Sequence, residues 1–126
     1  IKKIMDEINE PTFKLKIQGV GCFKHDRGDL WWAGVSDLEC ISHLHNAVCD
    51  GIRRSGLYYD FERQDFKFSP HITLARKVIT KQNFDLVIIN RDIKAISTQV
   101  EKIVLMDSEY VGGILSYTSV YEKQLF

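Results

Sequence analysis

The segment Pro70-His71-Ile72-Thr73 brings together two side chains that can do phosphate chemistry. It continues into Leu74-Ala75-Arg76, and the whole stretch is predicted to be a β-strand. Side chains alternate between the two faces of a strand, so His71 and Thr73 are expected to point the same way, a few Å apart. A proton-transfer group then stands beside a neutral hydrogen-bond donor.

Hydrolysis of a phosphate ester shows why this pairing matters. The reaction needs a base that deprotonates water, an acid that protonates the leaving oxygen, and donors that hold the equatorial phosphate oxygens. Histidine can serve as either base or acid because it titrates near neutrality. Thr73 adds one hydroxyl donor without adding charge. One His-x-Thr motif therefore supplies half of such a site.

The other histidines are weaker candidates. His43 and His45 resemble a metal pair, but at i, i+2 on a predicted helix their side chains diverge by roughly 200° and cannot share an ion. His25 lies beside Lys24 and Arg27 in a predicted loop. A surface histidine is the simpler interpretation there, although contact with a ligand stays open. The sequence therefore predicts no metal site and no cofactor.

Two hydroxyl residues are better explained as helix caps than as nucleophiles. Ser36-Asp37-Leu38-Glu39 matches the capping box S-x-x-E, and Thr80 precedes a predicted short helix. The glycines form neither G-x-G-x-x-G nor G-x-x-x-x-G-K-[ST], so dinucleotide and nucleoside-triphosphate folds are unsupported.

Size and composition predict an ordinary globular domain that spans residues 1–126. The chain is 44% hydrophobic and 27% charged, and it contains no apolar run long enough to cross a membrane. Its three cysteines, Cys22, Cys40 and Cys49, form no C-x-x-C. That pattern favours inert thiols in a reducing compartment, so a cytoplasmic location is expected.

The charge is zero overall but uneven along the chain. Residues 14–27 carry four cations and one anion, and residues 53–77 carry six cations and three anions, so each segment has a net charge of +3. This predicts a local positive cleft for a small anion rather than a groove for a duplex, with a solvated surface as the alternative. Trp31 and Trp32 are adjacent on a predicted strand and face opposite ways. One is predicted to be core, and the other offers a stacking surface for a base.

The order of the predicted elements indicates the fold class. They are a helix over 1–10, strands over 13–23 and 30–35, a helix over 38–55, a connection over 58–66, a strand over 68–78, a helix over 81–90, and strands over 100–107 and 114–122 joined by a turn over 108–113. The order β-β-α-β-α-β-β after an N-terminal helix predicts an α+β fold with largely antiparallel sheets and flanking helices.

Four sequence blocks, in this order, resemble the two-histidine (2H) phosphoesterase superfamily, and most of all the RNA 2′,3′-cyclic phosphodiesterases, also called 2′-5′ RNA ligases. The block Phe68-Ser69-Pro70-His71-Ile72-Thr73-Leu74-Ala75-Arg76 is by far the most specific of them. The weaker blocks are Phe13-Lys14-Leu15 with Gly19-Val20-Gly21-Cys22-Phe23, then Trp32-Ala33-Gly34-Val35, and finally Ile103-Val104-Leu105-Met106-Asp107-Ser108 with Gly112-Gly113.

The resemblance implies a two-lobed fold in which each lobe contributes one H-x-T to a central cleft, without a metal. His71 would be one of two catalytic histidines, Thr73 its phosphate-binding partner, and Arg76 a substrate-binding residue. Strict strand alternation puts Arg76 on the face opposite His71, so this last role needs a bulge or a long reach. The implied function is hydrolysis of 2′,3′-cyclic phosphate ends of RNA or of cyclic nucleotides, with reversible 2′-5′ RNA ligation as a further activity.

The chain departs from the family pattern in one respect: H-x-T occurs once. In the family the first motif lies upstream of the stretch that matches residues 1–23. Neither an N-cap nor a methionine precedes Ile1, which predicts a fragment of a longer chain that is incomplete at its N-terminal end. Two alternatives stay open, namely a non-catalytic nucleotide- or phosphate-binding module on the same scaffold, and an interaction domain in which H-x-T is coincidental.

Overall fold

The computed structural model describes residues 1–57 and 67–126. Its elements are α1 (Lys2–Asp6), β1 (Phe13–Phe23), β2 (Asp29–Ser36), α2 (Glu39–Arg54), β3 (His71–Val78), α3 (Leu86–Asp92), β4 (Ile96–Val100), β5 (Lys102–Val111) and β6 (Ile114–Gln124). The predicted α+β class with largely antiparallel sheets is confirmed. The predicted connection over 58–66 lies outside the described residues.

The chain divides into two compact units. One is built from α1, most of α2 and the β5–β6 pair, and the other from β1, β2, β3 and α3. The β5–β6 pair forms a two-stranded sheet of its own. The assignment of residues 1–126 to a single domain stays a prediction.

The second unit is organised by a four-stranded sheet with the order β3-β2-β1-β4. β1 and β2 pair antiparallel as the predicted hairpin, and β2 also pairs antiparallel with β3. The alternating pattern of β1 is reflected in burial, since Phe13 is buried while Lys14 and Lys16 are exposed. The sequence pattern does not predict β4, because only one residue separates this five-residue strand from β5.

A bulge in β1 is held by a side chain from α3. The β1–β2 register shifts between Ile17 and Val20, and Gly19 in this stretch has φ +79°, a conformation that glycine adopts without steric cost. The backbone N–H of Val20 donates to Asn90 Oδ1 at 2.6 Å, and Asn90 Nδ2 donates to the Val20 carbonyl at 2.9 Å. The Asn90 amide thus satisfies both backbone polar groups of Val20 at the bulge and links α3 to the sheet.

Two predicted helix caps are wrong. Ser36 is the last residue of β2, and its hydroxyl donates a long 3.5 Å hydrogen bond to the Lys16 carbonyl. α2 begins only at Glu39, after Asp37 turns the chain with φ +64°. α3 is capped by Asp85 rather than Thr80, since the Asp85 carboxylate accepts from the Val87 N–H at 2.9 Å.

The first unit buries the apolar faces of its two helices. Ile4, Met5 and Ile8 are buried, as are Leu44 and Ile52. α1 is shorter than the predicted helix over 1–10 and ends at Asp6. The hydroxyl of Tyr121 on β6 donates to the Asp6 carboxylate, and this hydrogen bond raises the pKa of Tyr121.

The β5–β6 hairpin has a tighter turn than the sequence predicted. β5 continues to Val111, so the turn consists of Gly112 and Gly113 rather than residues 108–113. Both glycines have positive φ, at +57° and +81°, which a two-residue hairpin turn of type I′ requires. Within the part of the chain that the structure describes, no helix is long and apolar enough to span a membrane.

Candidate functional site

His71 and Thr73 lie on the same face of the sheet, near the start of β3. In the register with β2, His71 is opposite Gly34 and Thr73 is opposite Trp32, and no shift separates the two pairs. β3 is at one edge of the four-stranded sheet, and the His71 side chain is exposed while Thr73 is half-buried. The imidazole is therefore open to a ligand, with the threonine beside it on the same surface.

A backbone hydrogen bond fixes the tautomer of His71. Its Nδ1 lies 2.8 Å from the carbonyl oxygen of Ser69. A carbonyl oxygen only accepts, so Nδ1 must carry the proton and donate it. In the neutral ring Nε2 is then left with a lone pair, which can take a proton from a nucleophile. When the ring is protonated, the same Nε2–H can give a proton to a leaving group.

Two aromatic side chains hold the His71 ring from the side. Phe23 meets it edge-on, with ring centroids 5.4 Å apart and planes at 85°. The ring centroid of Trp32 lies 6.4 Å from that of the imidazole and 5.4 Å from that of Phe23. In the sequence Phe23 stood out only as the last residue of the block Gly19-Val20-Gly21-Cys22-Phe23, which did not predict this contact.

The indole of Trp32 occupies space that a side chain at Gly21 would fill. A Cβ atom at Gly21 would lie 2.2 Å from Cζ2 of Trp32, closer than any real contact between such atoms. Gly21 is opposite Trp32 in the β1–β2 register. The absence of a side chain there lets the indole lie flat on β1 on the His71 face, where it supports Phe23.

A bulge in β3 changes the side on which Arg76 lies. Trp32 pairs with Thr73 but Trp31 pairs with Ala75, so β3 contains one extra residue between these pairs. Ala75 is thereby moved to the opposite face from Thr73, and alternation from Ala75 predicts Arg76 on the face of His71, just before a second register shift between Ala75 and Val78. The strict alternation expected from the sequence is wrong at this point, and the bulge that the role of Arg76 requires is present.

The two tryptophans serve opposite faces of the sheet, as their adjacency predicted. Trp31 packs edge-to-face against Phe84, with ring centroids 5.8 Å apart. Trp32 lies on the face of the sheet that carries His71. Both are half-buried, so the prediction that one of them is core is wrong. Among the described residues neither indole N–H, although buried, has a hydrogen-bond partner.

The hairpin loop near His25 is organised by an ion pair. Lys24 Nζ lies 2.5 Å from Asp29 Oδ2. This hydrogen bond lowers the pKa of Asp29 and raises the pKa of Lys24. The carboxylate of Asp29 therefore offsets the positive charge of Lys24. This reduces the positive charge of the cleft that was expected from residues 14–27. His25 itself is exposed in this loop.

The α2 histidines have separate surroundings. His43 is exposed, and His45 lies with its Nε2 3.5 Å from the sulfur of Cys49, one helical turn further on. Within residues 1–57 and 67–126, no group of three or more His, Cys, Asp or Glu side chains is arranged to hold a metal ion.

Comparison with known proteins assigns the family. The model of the 2′-5′ RNA ligase superfamily matches residues 1–111. The chain belongs to the 2′-5′ RNA ligase superfamily. The segment with β3 and the His-x-Thr motif falls inside the matched range, so the resemblance seen in the sequence is confirmed for the superfamily as a whole.

Relatives within the 2′-5′ RNA ligase superfamily are distant in sequence and longer. The RNA 2′,3′-cyclic phosphodiesterase of Thermotoga maritima is 25% identical over 115 residues, which cover 90% of this chain and 59% of the relative. LigT of Escherichia coli, solved with 3′-AMP, has a TM-score of 0.70 at 22% identity, with 98% of this chain and 65% of that chain covered. A Thermus thermophilus protein has a TM-score of 0.68 at 22% identity, with 93% and 62% covered. The chain thus has the fold of this superfamily and spans about three-fifths to two-thirds of these relatives.

Proposed function

We propose that the chain is a phosphodiesterase that needs no metal and opens 2′,3′-cyclic phosphates at RNA ends or in cyclic nucleotides. Membership of the superfamily and the name of the Thermotoga relative support this reaction class. The observation that carries the proposal is the Nδ1–Ser69 hydrogen bond, which presents the Nε2 of His71 on the same exposed face as Thr73. The cytoplasmic location expected from the cysteine pattern stays a prediction.

The proposed chemistry assigns one atom of His71 to proton transfer. With the ring neutral, Nε2 takes a proton from the attacking water as the new P–O bond forms. With the ring protonated, Nε2–H protonates the ribose oxygen as its bond to phosphorus breaks. Thr73 donates a hydrogen bond to an equatorial phosphate oxygen, and Arg76 binds the phosphate from the same face. The same steps with the 5′-hydroxyl of a second RNA end in place of water would give 2′-5′ ligation, because the 5′-oxygen bonds to phosphorus as the bond from phosphorus to the ribose 3′-oxygen breaks.

His71 can perform only one of the two proton transfers in a turn of the cycle. H-x-T occurs once in the 126 residues, so a second acid–base group has to come from another side chain or another chain. This single motif is also the observation that favours the second candidate, a nucleotide-binding module without catalysis on the same scaffold. The two candidates share the ligand and differ in turnover.

Hydrolysis of adenosine 2′,3′-cyclic phosphate in EDTA tests the proposal. The wild-type chain is expected to turn over in the chelator. His71→Ala is expected to lose roughly 10²–10⁴-fold in rate, the usual worth of one general acid–base group. Thr73→Val keeps the side-chain shape but removes the hydroxyl, and is expected to lose about 10²–10³-fold. His43→Ala, which alters an exposed histidine on α2, is the matched control and should keep the wild-type rate.

Three results would overturn the enzymatic proposal. One is turnover that survives His71→Ala, which would place the chemistry elsewhere. Another is turnover that EDTA abolishes, which would require a metal. The third is binding of 3′-AMP by calorimetry with no turnover in any variant, which would replace the enzyme with the binding module.

A further inference from the structure

The face of the sheet opposite His71 carries a hollow that the proposed reaction does not use. It has a volume of about 200 Å³ and lies between β1, β2 and the segment that leads into α3. Its lining includes Trp31, Phe84, Asn83, Thr80 and Lys24. Because Trp31 and Trp32 are successive on β2, the hollow and the His71 site lie on opposite faces. The volume is below the roughly 300–1,000 Å³ typical of pockets for drug-sized ligands, so it suits a single planar ring system.

Two aromatic rings form one wall of this hollow. Trp31 and Phe84 are perpendicular, with centroids 5.8 Å apart, an arrangement that leaves the face of one ring available for stacking. Phe84 is 54% exposed, although it is held next to the Asp85 cap of α3. A large apolar side chain that is fixed in place and still exposed is a ready stacking surface for a nucleobase.

Polar groups of the right chemistry surround the rings. The Asn83 side chain is exposed, and an amide offers both a donor and an acceptor to the edge of a base. Lys24 contributes an ammonium group, 76% exposed, although it also pairs with Asp29. A second hollow of about 350 Å³ shares Thr80, but its lining combines Arg27 with the carboxylates of Asp26 and Asp29, so the inference concerns the base rather than its phosphate.

We propose that the hollow formed by Trp31, Phe84 and Asn83 binds one unpaired nucleobase of the RNA whose end reaches His71. This inference rests on the proposed function and adds a second contact with the strand. Among the described residues β3 is an edge strand of the sheet, so an RNA strand can pass from the His71 face to the hollow around β3 alone. A free nucleotide has the same base and phosphate chemistry, and the experiment separates the two sources.

The two tryptophans provide a reporter for each face. In ¹H–¹⁵N NMR spectra of the full chain, the indole N–H signal of Trp31 reports on the hollow, and that of Trp32 reports on the His71 side. Adenosine 5′-monophosphate and a single-stranded oligoadenylate ending in a 2′,3′-cyclic phosphate are titrated separately. The Trp31 signal is expected to shift saturably with both, at a lower concentration of the oligonucleotide because two sites are then joined.

Variants of the hollow sharpen the test. Phe84→Ala is expected to weaken the Trp31 response roughly 5- to 150-fold, the usual loss for one stacked base. Asn83→Ala alters an exposed side chain with little risk to folding and should weaken the response as well. Gln82→Ala, at a neighbouring exposed position outside the hollow, is the matched control and should leave the response unchanged.

The outcomes distinguish this inference from the proposed function. If the Trp32 indole signal shifts saturably and the Trp31 signal does not, the second site is overturned and the proposal for His71 still holds. Shifts of neither signal would overturn both. A Trp31 response that is unchanged in Phe84→Ala and Asn83→Ala would place the binding outside the hollow. If the oligonucleotide saturates the Trp31 signal at no lower concentration than the mononucleotide, the assignment to an RNA strand is overturned. The hollow would then be a site for a free nucleotide.

Discussion

The Nδ1 atom of His71 lies 2.8 Å from the carbonyl oxygen of Ser69, two residues before it in the chain. This contact is local, since it joins the first residue of β3 to the backbone that leads into the strand. It determines which nitrogen of the ring is free for chemistry. The intervening Pro70 has a fixed φ and no N–H, which favours one conformation of this short segment.

The first prediction concerns the tautomer of free His71. At a pH where the ring is neutral, we expect the proton on Nδ1 and a lone pair on Nε2, because the Ser69 carbonyl requires a donor. Long-range ¹H–¹⁵N NMR correlation of the histidine ring distinguishes the two tautomers directly. The exposed His43 is an internal reference for a histidine without this contact. A predominant Nε2–H tautomer at His71 would contradict the assignment of Nε2 as the base.

The second prediction concerns Arg76 and the bulge in β3. If the bulge puts Arg76 on the His71 face, Arg76→Gln should weaken binding of 3′-AMP by about 10- to 150-fold, the worth of a hydrogen bond to a charged group. Calorimetry measures this affinity. Lys77→Gln removes one positive charge from the adjacent exposed position and should reduce the affinity for 3′-AMP much less. Equal losses in both variants would indicate a general charge effect and would contradict a specific contact.

The third prediction concerns Gly21 beneath Trp32. Replacing glycine by alanine in an unstrained position usually stabilises a protein by about 0.4–1 kcal/mol through the unfolded state. Here the new Cβ would lie 2.2 Å from the indole, and overpacking of this kind typically costs about 1–3 kcal/mol. We therefore expect Gly21→Ala to reduce the free energy of unfolding, measured in urea.

A double-mutant cycle separates this clash from other causes. In a Trp32→Leu background the indole is gone, so Gly21→Ala should become neutral or stabilising. If the two substitutions instead have additive effects on the free energy of unfolding, contact between Gly21 and the indole is not the reason for the loss.

The fourth prediction concerns pH and the pair Lys24–Asp29. The hydrogen bond from Lys24 lowers the pKa of Asp29 below its ordinary 3.8. A carboxylate with a depressed pKa in the folded state contributes stability above its unfolded pKa and loses that contribution as pH falls through the folded value. Asp29→Asn should therefore destabilise the protein modestly at neutral pH and have no effect well below pH 3.8. Urea denaturation at both pH values checks this, and a loss that persists in acid would contradict the ion-pair explanation.

The sequence predicted those features of the site that depend on neighbours in the chain. The shared face of His71 and Thr73 follows from the period of two in a strand, and the opposite sides of Trp31 and Trp32 follow in the same way. The order of the elements other than β4 likewise follows from local patterns of apolar and turn residues.

Features that depend on distant residues were not predictable from the sequence. The side on which Arg76 lies is set by the register of β3 against Trp31 and Trp32, and a bulge leaves no mark in the spacing of residues along one strand. The cap of α3 is another example, because both Thr80 and Asp85 can cap a helix. The helix begins after Asp85, next to Phe84, which contacts Trp31 on the sheet.

The proposed function requires that Nε2 of His71 contact the phosphate of a nucleotide. Titration of the ¹⁵N-labelled chain with 3′-AMP, observed at both ring nitrogens of His71, tests it most directly. We expect Nε2 to shift saturably while Nδ1 stays protonated, and we expect Thr73→Val to weaken the binding. An unchanged Nε2 signal at a concentration that saturates other sites would contradict the account.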